Sequence, residues 1–139
     1  MTEVAAGVVR YEEEYLLFLK EASNGFTFRE FPGGKVEQNE EPLQAMLREF
    51  EEETGNTLED CMEFLRKGDA YELETYRDSY EVHPYEVKLS EKIDVDCSEE
   101  HKGYEWKSRN VLESMAGNGL IGENSIKLIE EIEQRTYKS

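Results

Sequence analysis

Three residues, Pro32-Gly33-Gly34, separate a strand-rich opening from a helix that begins near Pro42. Proline has no N–H to give to a ladder, and glycine admits backbone angles that other residues avoid, so this triplet ends whatever regular structure precedes it. Before it, FTFREF (26–31) has the aromatic-polar alternation of a strand. After it, Leu43, Met46, Leu47 and Phe50 keep the i, i+3, i+4, i+7 spacing of one buried helical stripe, with Pro42 tolerated in the first turn and Gly55 placed to stop the helix. A chain punctuated in this way carries a sharp, glycine-built loop between a sheet and a helix.

The remaining segments supply the sheet. VAAGVVRY, the polar turn EEE and YLLFLK read as two strands joined in a hairpin. Between Met62 and Leu89, Tyr71, Tyr76, Tyr80 and Tyr85 alternate with polar residues as further strands do, and Pro84 suits an edge or a bulge. YEWKS from Tyr104 is a last short strand and NVLESMA a short helix. Ile126, Leu128, Ile129 and Ile132 give a final helix its apolar face behind Asn124 or Ser125 as cap. With 139 residues and no internal repeat or linker, the chain is expected to form a single domain over 1–139 of α/β class, a mixed sheet covered by helices on both faces.

Composition narrows the partners. A formal net charge of -17 excludes the basic surface that polymeric DNA or RNA requires, while a small phosphorylated substrate remains compatible if cations neutralise its site. Much of the acidity reads as solvated surface, of a kind suited to high salt. The N-terminal MTEVAAGVVR lacks a basic region followed by a long apolar run, and no later window reaches the roughly 20 apolar residues that span a bilayer. A cytoplasmic protein with no membrane partner is expected. Cys61 and Cys97 lie far apart without a C-x-x-C pair, so free thiols are expected in place of a disulfide framework or cysteine metal site.

The helix after Pro42 has an odd end. Glu49, Glu52 and Glu53 are expected on one strip away from the apolar stripe, and all three sit where the helix macrodipole already disfavours anions. A sequence shaped by stability alone would place Lys or Arg there. Taken by charge count, the run is equally a solvated face of a Glu-rich chain. Its neighbours say more: Gly33-Gly34 precede the helix, Arg48 lies one turn from Glu52, and Gly55 closes it. An all-carboxylate group without His or Cys nearby favours a hard divalent cation, Mg²⁺ above all, with Mn²⁺ as substitute.

The segment GKVEQNEEPLQAMLREFEEETGN (34–56) resembles the signature of the Nudix hydrolases, G-x5-E-x7-R-E-U-x-E-E-x-G-U with U a bulky apolar residue. Gly34, Glu40, Arg48, Glu49, Phe50, Glu52, Glu53 and Gly55 fall in register. Asn56 departs from the pattern, which asks for an aliphatic residue, and Arg29 stands where an aromatic residue is frequent in the family. The resemblance implies an α/β/α sandwich and metal-dependent cleavage of a diphosphate linkage in a small nucleotide. It also implies Glu52 and Glu53 as primary metal ligands, with Glu49 either completing the metal shell or accepting a proton from the attacking water. Gly34 would offer its carbonyl to a cation, Arg48 would orient the glutamates, and Glu40 would brace the loop.

SEEHKGYEW (98–106) resembles the stretch from which relatives bring another glutamate, which makes Glu100 a candidate metal ligand or general base, whereas His101 reads as a solvated loop residue. Tyr104 and Trp106 are expected to be packing residues before stacking platforms, as are Phe26, Phe28 and Tyr85. No spacing rule assigns His83-Pro84-Tyr85 to a nucleoside pocket. REFPGGKVE points toward hydrolysis of nucleoside triphosphates, ordinary or oxidised. SEEHKGYEW points toward dinucleoside polyphosphates, with ADP-ribose and a non-catalytic nucleotide-sensing module as further alternatives. The family resemblance leaves a homodimer open.

Overall fold

A computed structural model describes residues 1–74, 77–96, 103–117 and 128–129. The elements run β1 (Thr2–Tyr11), β2 (Glu14–Glu21), β3 (Thr27–Glu30), β4 (Gly33–Lys35), α1 (Pro42–Thr54), α2 (Leu58–Cys61), β5 (Met62–Lys67), β6 (Tyr71–Glu74), β7 (Ser79–Leu89), β8 (Gly103–Ser108) and α3 (Arg109–Gly117). All the strands join one mixed sheet. Among the described residues no helix is long and apolar enough to cross a membrane.

β1 organises the sheet. One edge pairs in parallel with β7 from Thr2↔Tyr80 to Arg10↔Lys88. Its other edge is shared by the antiparallel β2, through Arg10↔Tyr15, and by β4, through Ala5↔Gly34 and its neighbours. The hairpin expected from the sequence turns at Glu12, whose φ is 53°. β2 pairs with β8 and β3, and β7 pairs with β5 and β6.

Strand alternation sorts the apolar side chains onto two faces. Ala5, Val9, Leu16, Phe18, Tyr85, Val87 and Leu89 meet Ala45, Met46 and Phe50 of α1. Val8, Leu17, Phe31 and Val82 meet Leu112 of α3 together with Leu128 and Ile129. Helical residues therefore cover both faces, as the sequence leads one to expect. Of the expected final helix, Leu128 and Ile129 are helical and buried, while Ile126 and Ile132 lie outside the described residues.

Two local expectations change. Pro84 marks no edge, since it lies inside β7 opposite Ala6 of β1, but an irregularity of the bulge kind does lie against its other side. Lys67 of β5 faces Tyr85 and Tyr71 of β6 faces Val82, so three residues, 68–70, lie opposite His83 and Pro84, one more than a regular ladder holds, and the pairing is interrupted there. The Pro84 carbonyl accepts from Gly68 N in that gap at 2.8 Å, and the proline nitrogen faces the same gap, where its missing N–H costs no ladder bond. Leu43 is 41% exposed and falls outside the buried stripe of α1, whose core face is made by Ala45, Met46 and Phe50.

Candidate functional site

The two glycines after Pro32 bring α1 and the sheet together. Gly33, at φ 151°, lies against β1 so closely that an added Cβ would stand 2.2 Å from the Ala5 carbonyl oxygen. A Cβ on Gly34 would stand 2.4 Å from the carboxyl carbon of Glu49, so the absence of a side chain there is what admits that carboxylate. Gly7 leaves room in the same way for Met46 over the sheet.

The three glutamates do not share one strip away from the core. Glu53 follows Met46 by seven residues, which returns it to within about 20° on the helical wheel, and it is 4% exposed. Its Oε1 accepts a hydrogen bond from Gly33 N at 2.9 Å. The Glu49 side chain is 17% exposed and that of Glu52 is 58% exposed. The carboxylates therefore form a graded series from interior to solvent along the end of α1.

Arg48 joins this series to the loop before the helix. Its Nε and Nη2 donate to the two oxygens of Glu40 at 2.8 and 3.1 Å, a planar fork that fits a carboxylate. Nη2 also donates to the Lys35 carbonyl at 3.0 Å, while Nη1 donates to Glu49 Oε1 at 2.9 Å and Glu52 Oε2 at 3.3 Å. Glu37 N donates to Glu40 Oε1 at 3.0 Å, and Glu41 N to Gln44 Oε1 at 2.8 Å, which ties down the helix entry. The hydrogen bond from Arg48, with that from Glu37 N, holds the Glu40 carboxyl below its ordinary range. The same Glu40 contact fixes the charge of Arg48 more firmly still.

Asn56, the residue that departs from the signature, has a distinct job. Its Nδ2 donates to the Thr54 carbonyl at 3.0 Å and to the Asp94 carbonyl at 2.8 Å, and its N donates to Thr54 Oγ1 at 3.1 Å. Asp96 N adds a bond to the Thr54 carbonyl at 2.9 Å. The end of α1 is thus fastened to the 94–96 segment through polar groups where an aliphatic residue would only pack. Gly55, at φ 74°, takes the left-handed stop expected of it.

Other candidates scatter. Glu100 and His101 lie outside the described residues. Trp106 packs partly buried against the α1-side core with Lys92 Nζ 5.3 Å from its ring centroid, whereas Tyr104 is 38% exposed. Phe26 is 46% exposed, which corrects its expected packing role: it follows Gly25 on the short connection to β3, outside the sheet. Tyr85 is buried, and burial pushes its phenol above the ordinary value. Arg29, at the second departure from family habit, forms a bidentate pair with Glu105 of β8 at 3.1 and 3.2 Å. That contact joins positions 76 residues apart, and neither residue type nor spacing announced it.

One guanidinium among four carboxylates, with oxygen donors throughout, suits a hard divalent cation by charge and by donor chemistry. A family model described as the NUDIX domain matches residues 1–124. The chain belongs to the Nudix family. Within it, the chain is 39% identical over 57 residues to an 8-oxo-dGTP diphosphatase of Escherichia coli strain K12, covering 40% of this chain and 44% of that protein. It is 42% identical over 60 residues to an 8-oxo-dGTP diphosphatase of Proteus vulgaris, covering 42% of this chain and 54% of that one. The chain thus spans about half the length of these curated relatives, or less. A solved structure of a C. elegans Ap4A hydrolase superposes with a TM-score of 0.76 at 20% identity over 100% of both chains, a likeness of Nudix fold.

Proposed function

We propose that the chain hydrolyses a diphosphate linkage in a small nucleotide, with oxidised nucleoside triphosphates as the preferred substrate class and Mg²⁺ as the cation. The observation that carries the reading is the Arg48 hub, which presents Glu49 and Glu52 beside a buried Glu53 and a side-chain-free Gly34. The partial identity with two 8-oxo-dGTP diphosphatases supports the substrate class. A nucleotide pool as the source of substrate agrees with a cytoplasmic location, and a net charge of -17 with a small substrate in place of a polymer.

Glu52 and Glu53 are the carboxylates to hold the cation, with Glu49 and the Gly34 carbonyl beside them. A bound magnesium ion supplies charge withdrawal from phosphoryl oxygens and a lowered pKa for coordinated water. Glu53 is set in place by Gly33 N, and its burial keeps the carboxylate from wandering into solvent. Arg48 is a positioning residue: its Nη1 orients Glu49 and Glu52, while its fork onto Glu40 anchors it to the loop. Glu49, next to Gly34 and largely shielded from water, is the group placed to hold or accept a proton at its carboxylate. Glu100 remains the proposed further ligand from outside the signature.

The deciding experiment is a magnesium-dependent hydrolysis screen over ordinary and 8-oxo-purine nucleoside triphosphates, dinucleoside polyphosphates and nucleotide sugars, with product identification. The highest kcat/KM is expected on an oxidised purine triphosphate. A preference for dinucleoside polyphosphates overturns the substrate class, and absence of turnover across the panel overturns hydrolysis in favour of nucleotide sensing.

A further inference from the structure

A second cluster lies where β1 and β7 begin. Parallel pairing sets Glu3 directly opposite Glu81, and His83 follows two residues along β7 on the same face. His83 Nε2 stands 3.1 Å from Glu3 Oε1 and 3.2 Å from Glu81 Oε1. One ligand atom from each of the three residues lies within 4.8 Å of the others. Like charges directly opposite on paired strands destabilise a sheet, so strand pairing alone gives no reason for this choice.

Two carboxylates at a surface would be unremarkable without the imidazole. His83 is 7% exposed, points Nε2 at both carboxylates, and keeps Nδ1 buried with no hydrogen-bond partner among the described residues. A neutral ring protonated on Nε2 has one hydrogen for two carboxylates. A second proton would leave a buried N–H on Nδ1 without an acceptor. A divalent cation bonds the ring nitrogen and both carboxylates at once. Ligand atoms at about 2.0–2.2 Å from a tetrahedral zinc stand about 3.3–3.6 Å from one another, so His83 Nε2, at 3.1 and 3.2 Å from the two carboxylates, needs to draw back only a few tenths of an ångström to admit the ion. Metal binding on Nε2 leaves the ring proton on Nδ1, which finds no acceptor among the described residues, as it would in a doubly protonated ring, so the preference for a cation rests on its bonding both carboxylates at once.

We propose that Glu3, Glu81 and His83 form a binding site for a borderline divalent cation of the zinc class, distinct from the all-carboxylate group on α1. Imidazole with two carboxylates is a donor set that zinc prefers and magnesium does not. The site has a consequence for the first one. Ala5 pairs with Gly34 on one edge of β1 and with His83 on the other, which places His83 about 10 Å across the sheet from Gly34. A cation held there ties β7 to the stretch of β1 on which Gly33 and Gly34 rest. The proposal does not depend on the hydrolytic reading, because its evidence is the geometry of the β1–β7 pair.

The test uses the full chain stripped with EDTA and titrated with zinc chloride, with imidazole NMR signals and the melting temperature as readouts. His83→Gln identifies the His83 signal against that of His101. Stoichiometric zinc is expected to shift the His83 ring and raise the melting temperature. Glu3→Gln and Glu81→Gln, at exposed and half-buried positions that tolerate the change, are each expected to weaken zinc binding at least about tenfold. Glu52→Gln and Glu53→Gln leave the His83 shift intact, and millimolar magnesium does not displace the ion. A His83 ring that moves with pH and is indifferent to excess zinc overturns the proposal, as does equal zinc affinity in Glu3→Gln, Glu81→Gln and the unaltered chain.

Discussion

The carboxylates at the end of α1 and those at the start of β1 and β7 face the same side of one sheet, but different cationic partners restrain them. At α1, a guanidinium that is always charged spreads five donors over Glu40, Glu49, Glu52 and the Lys35 carbonyl. At the strand ends, one buried imidazole meets two carboxylates through a single nitrogen. The first arrangement fixes its geometry before any ion arrives. The second has its ligand atoms close together but sets two carboxylates against one ring nitrogen, an imbalance that the proposed cation would offset.

The largest expected effect separates the two clusters by function. Glu52→Gln or Glu53→Gln should lower kcat at least about a hundredfold, the scale commonly lost with one electrostatic stabiliser of a transition state. Glutamine at 53 retains an oxygen for Gly33 N, so circular dichroism and melting should change little while turnover collapses. Turnover that stays at the unaltered level in both variants under saturating magnesium would remove the α1 carboxylates from the chemistry and with them the contrast drawn here.

Arg48→Lys comes next. A lysine keeps the charge but not the fork, so Glu40 and Glu49 can no longer be gripped together. The expectation is a fall in kcat of about tenfold with KM nearly unchanged, since a positioning residue acts through the carboxylates and not on substrate. A rise in KM at constant kcat would instead place the guanidinium on the substrate phosphates.

These two clusters also differ in how much of them the sequence discloses. Everything in the first lies between residues 33 and 56, so helical periodicity and loop spacing convey it directly. Even there the depth of each carboxylate is not legible from the charge pattern: a strip opposite the apolar stripe leaves out that Glu53 sits seven residues beyond Met46, under a helix brought close to the sheet by glycines. The second cluster depends on strand pairing between residues about 80 positions apart, as does the Arg29–Glu105 pair over a similar separation. Register between distant strands has no local mark, so the sequence assigns His83 no role. Pro84 leaves edge and bulge open for the same reason, because its place beside the one-residue shift between β5 and β6 follows from tertiary pairing alone.

Asn56 tests whether the fastening at the end of α1 is polar by need. Asn56→Leu restores the aliphatic residue of the family pattern but removes donors to the Thr54 and Asp94 carbonyls. A loss of about 1–2 kcal/mol in urea unfolding is expected, the usual range for a hydrogen bond or two in a partly buried place. Equal or greater stability would mean that packing alone suffices there.

The smallest effect concerns acid. Glu40 carries a carboxyl held below its ordinary range by Arg48 and the Glu37 amide. A group whose folded pKa is depressed contributes stability that is fully present above its unfolded value, about 4.3, and is lost as pH falls through the lower folded value. Comparing urea unfolding of the chain with that of Glu40→Gln should therefore give a constant difference from neutral pH down to about pH 5, and a shrinking one below it. Because the Glu40 and Arg48 side chains keep a minor contact with solvent, 14% and 25% exposed, raising the salt should narrow the gap slightly as well. A difference between the two proteins that does not change with pH would show that Glu40 braces the loop by shape and hydrogen bonding alone, and that the charge of Arg48 is spent entirely on Glu49 and Glu52.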